Sequence, residues 1–228
     1  MIKKKIFQKK LIKIIENKYV NWEQKATMLE RVVLEDENGV EFFKDLILTH
    51  KKPKIRKGAA SILGYIKNSD LTKELIPRIL DEKDWTVRYA LSNACVKHMK
   101  NVAVEKLIAD YENRIKSVET SEKHKLNLIF TESLGYMELK EAEPILTTML
   151  KEIGTKRDQK SIELIIQILY SLGEVGDKST VELLIHYSAD NRYTTNGIRN
   201  SAVHAIDKIA KRLRFSSKKA LLDSINKE

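Results

Sequence analysis

A chain of 228 residues is long enough for one or two compact domains or one continuous repeat array; its 42% apolar content supplies a core, and its 32% charged residues keep the surface solvated. The single cysteine, Cys95, excludes an internal disulfide framework and any cysteine-rich zinc site, and no apolar run approaches the roughly 18 residues of a membrane span. The net charge of +10 is concentrated: residues 1–18 carry +6, residues 51–57 carry +5 and residues 208–219 carry +6, so the remainder is acidic by seven charges.

In chain order, residues 2–18 place Ile2, Ile6, Phe7, Leu11, Ile14 and Ile15 at helical spacing, with Lys3, Lys4, Lys5, Lys9, Lys10 and Lys13 on the other face. This predicts a basic amphipathic helix over residues 1–20 that caps a single repeat array over 21–228. It lacks an uninterrupted apolar core and a cleavage site, so no signal peptide is expected and a reducing cytoplasm is the expected setting. Helices follow at about 22–36 and 40–50, with Glu37-Asn38-Gly39 as the turn. Residues 53–67 begin with Pro53 in a first turn and carry Ile55, Ala59, Ile62, Leu63 and Ile66 on one face. Asn68-Ser69-Asp70 is expected to cap the next helix, in which Pro77 predicts a kink or a late start.

Further pairs are expected at 84–99 with 102–117, at 126–137 with 144–153, at 161–173 with 179–189, and at 198–213 with 216–227. Polar residues 116–124 extend the helices around them or form a loop, residues 154–160 form a break, and 190–197 form the longest irregular segment. Cys95, within the small-residue run Ser92-Asn93-Ala94-Cys95, reads as a buried structural thiol.

One phrase recurs through this series. Asp84-Trp85-Thr86-Val87-Arg88-Tyr89-Ala90 shares its grammar with Ile55-Arg56-x-x-Ala59-x-x-x-Leu63-Gly64 and with Ile198-Arg199-x-x-Ala202-x-x-x-Ile206. Degenerate copies end at Leu134-Gly135 and Leu172-Gly173, and the successive spacings are about 32, 39, 38 and 34 residues. Self-similarity at such a period is the signature of stacked helical pairs. On these residues, and on Ala142-Glu143-Pro144-Ile145-Leu146, residues 53–213 resemble HEAT repeats in the short form also found in phycobilin lyase subunits. The tetratricopeptide alternative lacks its Trp-x-x-Leu-Gly-x-x-Tyr phrase.

The resemblance implies an all-α, right-handed α-α superhelix, a HEAT-like solenoid of about five to six helical pairs, with second helices lining a concave partner groove. It also implies an aspartate–arginine ladder between neighbouring repeats. Asp84 with Arg88 fits that ladder, whereas Arg56 and Arg199 have no acid four positions earlier, so the ladder is expected to be partial.

No catalytic constellation stands out. The histidines at 50, 98, 124, 186 and 204 show no paired metal-ligand spacing, and neither a phosphate loop nor a nucleophile elbow is present. Some HEAT-like alkylpurine DNA glycosylases use aromatics and an aspartate in a basic concave cleft. Trp85 beside Asp84 is the one point of similarity, and its place at a helix start points to packing between units. Trp22, beside Tyr19, reads as packing at the N-terminal junction.

A non-enzymatic scaffold that binds a partner peptide or helix, without cofactor or metal, is therefore expected. Candidate groove residues are Lys73, Arg78, Lys106, Asp110, Arg114, Thr147, Lys151, Glu182 and His186, whose mixed signs suit a polypeptide. The alternative is nucleic-acid binding through segments 1–18, 51–57 and 208–219, although aromatics do not interleave with the lysines along the chain. An anionic membrane surface is the third candidate partner, through residues 2–18.

Overall fold

The computed structural model describes residues 2–36, 38–66, 69–189 and 195–225, and among these it is all-helical. Thirteen α-helices run in order: α1 (Ile2–Glu16), α2 (Trp22–Leu34), α3 (Gly39–Thr49), α4 (Pro53–Leu63), α5 (Ser69–Ile79), α6 (Trp85–Met99), α7 (Asn101–Ser117), α8 (Thr120–Met137), α9 (Glu143–Ile153), α10 (Gln159–Val175), α11 (Lys178–Ser188), α12 (Asn196–Arg212) and α13 (Lys218–Ile225). A 3-10 turn, Lys140–Ala142, precedes α9. The chain gathers into two compact units, Met1–Asp110 and Tyr111–Glu228.

Local chemistry sets most boundaries. Asn21 caps α2, Asp84 caps α6, Asp158 caps α10, Asp177 caps α11 and Thr195 caps α12, each side chain accepting from a backbone N–H of the first turn. Polar residues 116–124 divide between the end of α7 and the start of α8. Pro77 neither delays nor ends its helix at once: α5 begins at Ser69 and runs two residues beyond it, because a proline in the last turn forfeits only one ladder hydrogen bond. The turn residue Glu37, the cap residue Asn68 and the loop residues 190–194 lie outside the described residues.

In the first unit α1 buries Phe7, Leu11 and Ile15 against α2, α3 and α4. Ile6, expected on that apolar face, is instead 55% exposed, because the contact stripe runs through positions 7, 11 and 15. Gln8 and Lys4 both reach Asp45 of α3, at 2.9 and 3.0 Å.

The phrase helices make the closest helix–helix approaches: α4 on α6 in the first unit, and α8 on α10 on α12 in the second. Their facing residues are small, which permits short interaxial distances. A Cβ built on Gly135 would lie 2.9 Å from Ser171 Cβ, and one on Gly173 would lie 2.9 Å from Ala205 Cα. Buried hydroxyls on this contact bond to backbone: Ser171 donates to the Thr131 carbonyl at 2.7 Å. The remaining helices choose partners differently from the sequence pairing. Among the described residues α3 packs mainly on α4, α5 on α6, α9 on α10, and α11 on α12, so these four flanking helices pack on the phrase helix that follows them.

Candidate functional site

Arginines of the phrase helices bond to nearby loops and helix ends within each unit. Arg56 of α4 donates through Nε and Nη2 to both carboxylate oxygens of Glu82, at 2.9 and 2.7 Å, and through Nη1 to the His50 carbonyl at 2.7 Å. Its acid thus lies 26 residues ahead, beyond α5, rather than four behind. Asp84 caps its own helix, and its carboxyl is held below the usual range mainly by the Thr86 hydroxyl. Arg88 is 7% exposed and donates to the carbonyls of Glu82 and Lys83 at 2.8 and 3.0 Å. Arg212, at the end of α12, donates to the carbonyls of Gly173, Glu174 and Gly176 at the end of α10.

A cleft of about 330 Å³ surrounds Arg56 and Glu82, with Arg78, Asp81 and Lys83 on its walls. Its central charges, Arg56 and Glu82, satisfy each other. Cys95 is fully buried, and burial pushes its thiol up to about 12, which removes it as a nucleophile. Among the described residues no group of three histidine, cysteine or carboxylate side chains is placed to hold a metal ion, and no helix is long and apolar enough to cross a membrane.

The nine predicted groove residues all lie on flanking helices: Lys73 and Arg78 on α5, Lys106, Asp110 and Arg114 on α7, Thr147 and Lys151 on α9, Glu182 and His186 on α11. Lys73, Arg78, Lys106, Lys151, Glu182 and His186 are exposed, whereas Asp110, Arg114 and Thr147 are half-buried. Arg78 stands 3.6 Å from Asp81, Thr147 donates to Glu143 at 2.9 Å, and His186 meets Tyr187 edge-on. Glu182 lines an open cleft of about 670 Å³ in the second unit, with Leu213, Phe215 and Ile225 as apolar walls and Asp177, Lys178 and Ser179 on the rim. The structure does not draw the others of the second unit into that cleft.

The exposed face of the phrase helices differs between units. In the second unit it is charge-compensated: Glu174 pairs with Lys208, Tyr170 meets His204 edge-on at 5.5 Å, and Tyr136 donates to Glu132 at 2.7 Å. In the first unit α4 and α6 contain no aspartate or glutamate at all. Their outward stripes read Lys57 and Ser61 on α4, continued by Tyr65 in the turn after it, and Trp85, Tyr89, Asn93, Lys97 on α6. A 32-residue offset lays one against the other, and Lys97 Nζ sits 3.6 Å from the Tyr65 ring centroid. A hollow of about 280 Å³ opens between them, with Trp22 of α2 at its edge and the small residues Gly64, Ala90 and Ala94 among its walls.

Sequence reading missed this patch because Trp85 and Trp22 were assigned to packing. They are 59% and 42% exposed, with Tyr65 and Tyr89 at 39% and 42%. The available signal was the spacing of 85, 89, 93 and 97 one helical turn apart, aligned with 57, 61 and 65. Lys25, 7% exposed, donates to the Ile15 carbonyl at 2.8 Å and lies 4.6 Å from the Trp22 ring, holding that ring at the edge.

No protein-family model matches the chain, and no curated protein matches it. Among solved structures, the crystal structure of an engineered protein is similar at 15% sequence identity, covering 89% of this chain and 97% of that one with a TM-score of 0.32.

Proposed function

We propose that this chain is a non-enzymatic HEAT-like repeat protein that serves as an adaptor, binding a peptide or helix of another protein. The observation that carries this reading is the 670 Å³ cleft of the second unit, where Leu213, Phe215 and Ile225 meet a rim of both signs, Asp177 and Glu182 against Lys178. An apolar floor with a mixed polar rim suits an apolar anchor residue on a polypeptide. The repeat reading is supported by the consecutive close approaches of α8, α10 and α12. Within the second unit, Arg114, Thr147, Lys151, Glu182 and His186 stand on α7, α9 and α11 rather than on α8, α10 and α12. Their mixed signs fit polypeptide contacts on those helices.

The test is a pull-down from the native host, repeated at low and high salt and after nuclease. A protein partner that survives nuclease and 1 M salt, and is lost on Phe215→Asp with the helical content unchanged, upholds the adaptor. Recovery of nucleic acid alone, with nothing after digestion, overturns it.

A second reading, nucleic-acid binding, is favoured by charge. Residues 1–110 hold 23 lysines and arginines against 15 acids, while 111–228 hold 19 against 17. Two of the three basic segments, 1–18 and 51–57, fall in the first unit, where α1 packs on α4.

A further inference from the structure

From the first unit we infer that the exposed faces of α4 and α6, with Trp22 at their edge, are a platform for single-stranded nucleic acid. The bases stack on Trp85, Tyr89, Tyr65 and Trp22, and phosphates meet Lys57 and Lys97. This goes beyond the adaptor reading, which concerns the second unit, and the two stand or fall separately.

Four aromatic rings between 39% and 59% exposed on one patch of a helical protein are unusual in themselves, since such side chains bury more surface than any others. The patch is not an apolar one awaiting a hydrophobic partner: lysines stand among the rings, and Ser61 and Asn93 lie between them. Neither α4 nor α6 offers a carboxylate to neutralise those lysines, in contrast with the Glu174–Lys208 pairing on the corresponding face of the second unit. Two acids adjoin the rings in sequence: Glu23 follows Trp22 at the margin, and Asp84 precedes Trp85, its carboxylate engaged in capping α6 through the Thr86 and Val87 N–H groups and the Thr86 hydroxyl.

Cations alternating with exposed planar side chains are what a strand of stacked bases and regularly spaced phosphates requires. Trp85 and Tyr89 are four residues apart on one helix face, about 6 Å along the axis, which leaves room for a base on each ring. Duplex DNA does not fit this chemistry, because its base faces are already stacked and only edges are presented in the grooves. An acidic peptide would neutralise the lysines but offers no repeated planar partner for the rings.

The chain has two tryptophans, Trp22 at the edge of the hollow and Trp85 one turn before Tyr89 on α6, so intrinsic fluorescence reads this face. The experiment titrates the full chain with a 12-nucleotide oligo-dT, with a duplex of equal length, and with poly-glutamate. Oligo-dT is expected to quench tryptophan emission. Three phosphate contacts, counting Lys54 one turn before Lys57, imply a salt slope of about −2, hence about a twentyfold loss of affinity between 50 and 200 mM salt. Trp85→Ala and Tyr89→Ala should each weaken binding by at least about fivefold, the low end of base–aromatic stacking. Trp85→Phe should retain most of the affinity. Lys57→Ala with Lys97→Ala should flatten the slope by about 1.4. Circular dichroism checks that each variant is folded, and Trp85, exposed at the start of α6, can be truncated without opening the core.

Three results would each overturn the proposal. One is equal binding of the duplex with no quenching; another is poly-glutamate binding as tightly with the same aromatic dependence; the third is no binding of oligo-dT at 50 mM salt.

Discussion

Replacing Gly173 by alanine tests the close approach of α10 to α12. In an unconstrained helix interior the change stabilises by about 1 kcal/mol, because alanine restricts the unfolded chain and glycine does not. Here the new Cβ would lie 2.9 Å from Ala205 Cα and 3.2 Å from Ala205 Cβ. The obstructing atoms are close to the backbone of α12, so relief requires the helix to shift rather than a side chain to swing away. Overpacking of this kind costs about 1–3 kcal/mol, and with an immovable neighbour the upper part of that range applies. The clash therefore outweighs the propensity gain, leaving a net loss of about 1–2 kcal/mol. For a chain of this length that corresponds to a melting temperature lower by about 2–8 °C. Urea and thermal melts followed by circular dichroism measure it. Gly197→Ala is the control, since its new Cβ meets a flexible side-chain end, Ile166 Cδ1 at 3.1 Å, so its melt should be unchanged or raised. If Gly173→Ala is as stable as the parent or more so, α10 and α12 are not in contact at this point and the packing argument fails.

Other consequences are open to the same methods. Leu134 is fully buried, and Leu134→Ala should cost about 2–5 kcal/mol in urea melts, with a loss under about 1 kcal/mol contradicting its burial. Arg56→Ala should cost about 2–3 kcal/mol, between an exposed pair and a buried one, because it strands Glu82, whose side chain is 10% exposed; a double-mutant cycle with Glu82→Gln should show coupling, and additive effects would show the pair to be idle. The Asp177 carboxyl is pulled below the ordinary range, first by the hydrogen bond from Lys140 and then by the Ser179 hydroxyl. Its contribution is therefore complete above the unfolded value near pH 3.9 and fades as pH falls below it, so between pH 5 and 2 the parent should lose more melting temperature than Asp177→Asn. Cys95 should resist alkylation at pH 8 in the native chain and react at once in urea; rapid native labelling would contradict its burial.

Much of this fold is legible in the sequence because helices are governed by local rules. Caps such as Asp84, Asp158 and Asp177, the 3.6-residue apolar period and the turn residues act within a few positions, and they place most boundaries within two or three residues of those observed. The burial of Leu134 and Cys95 follows from the same periodicity. What the local pattern does not contain is the identity of the neighbour. A helical residue's phase says whether it faces in or out, but not which helix it meets, and so Pro77's helix was paired with the one before it rather than with α6. Arg56, without a local acid, finds Glu82 across the length of α5 because the packing of α4 on α6 brings residues 26 apart into contact. Size misled the reading of Trp22 and Trp85. A large aromatic gains by burial, yet where the end of α4 meets α6 the contact is made by small residues, Gly64 lying against Ala94, while Trp22 and Trp85 stand exposed. Close packing of the small residues turns the large ones outward, and only the tertiary arrangement gathers rings from three helices beside Lys57 and Lys97.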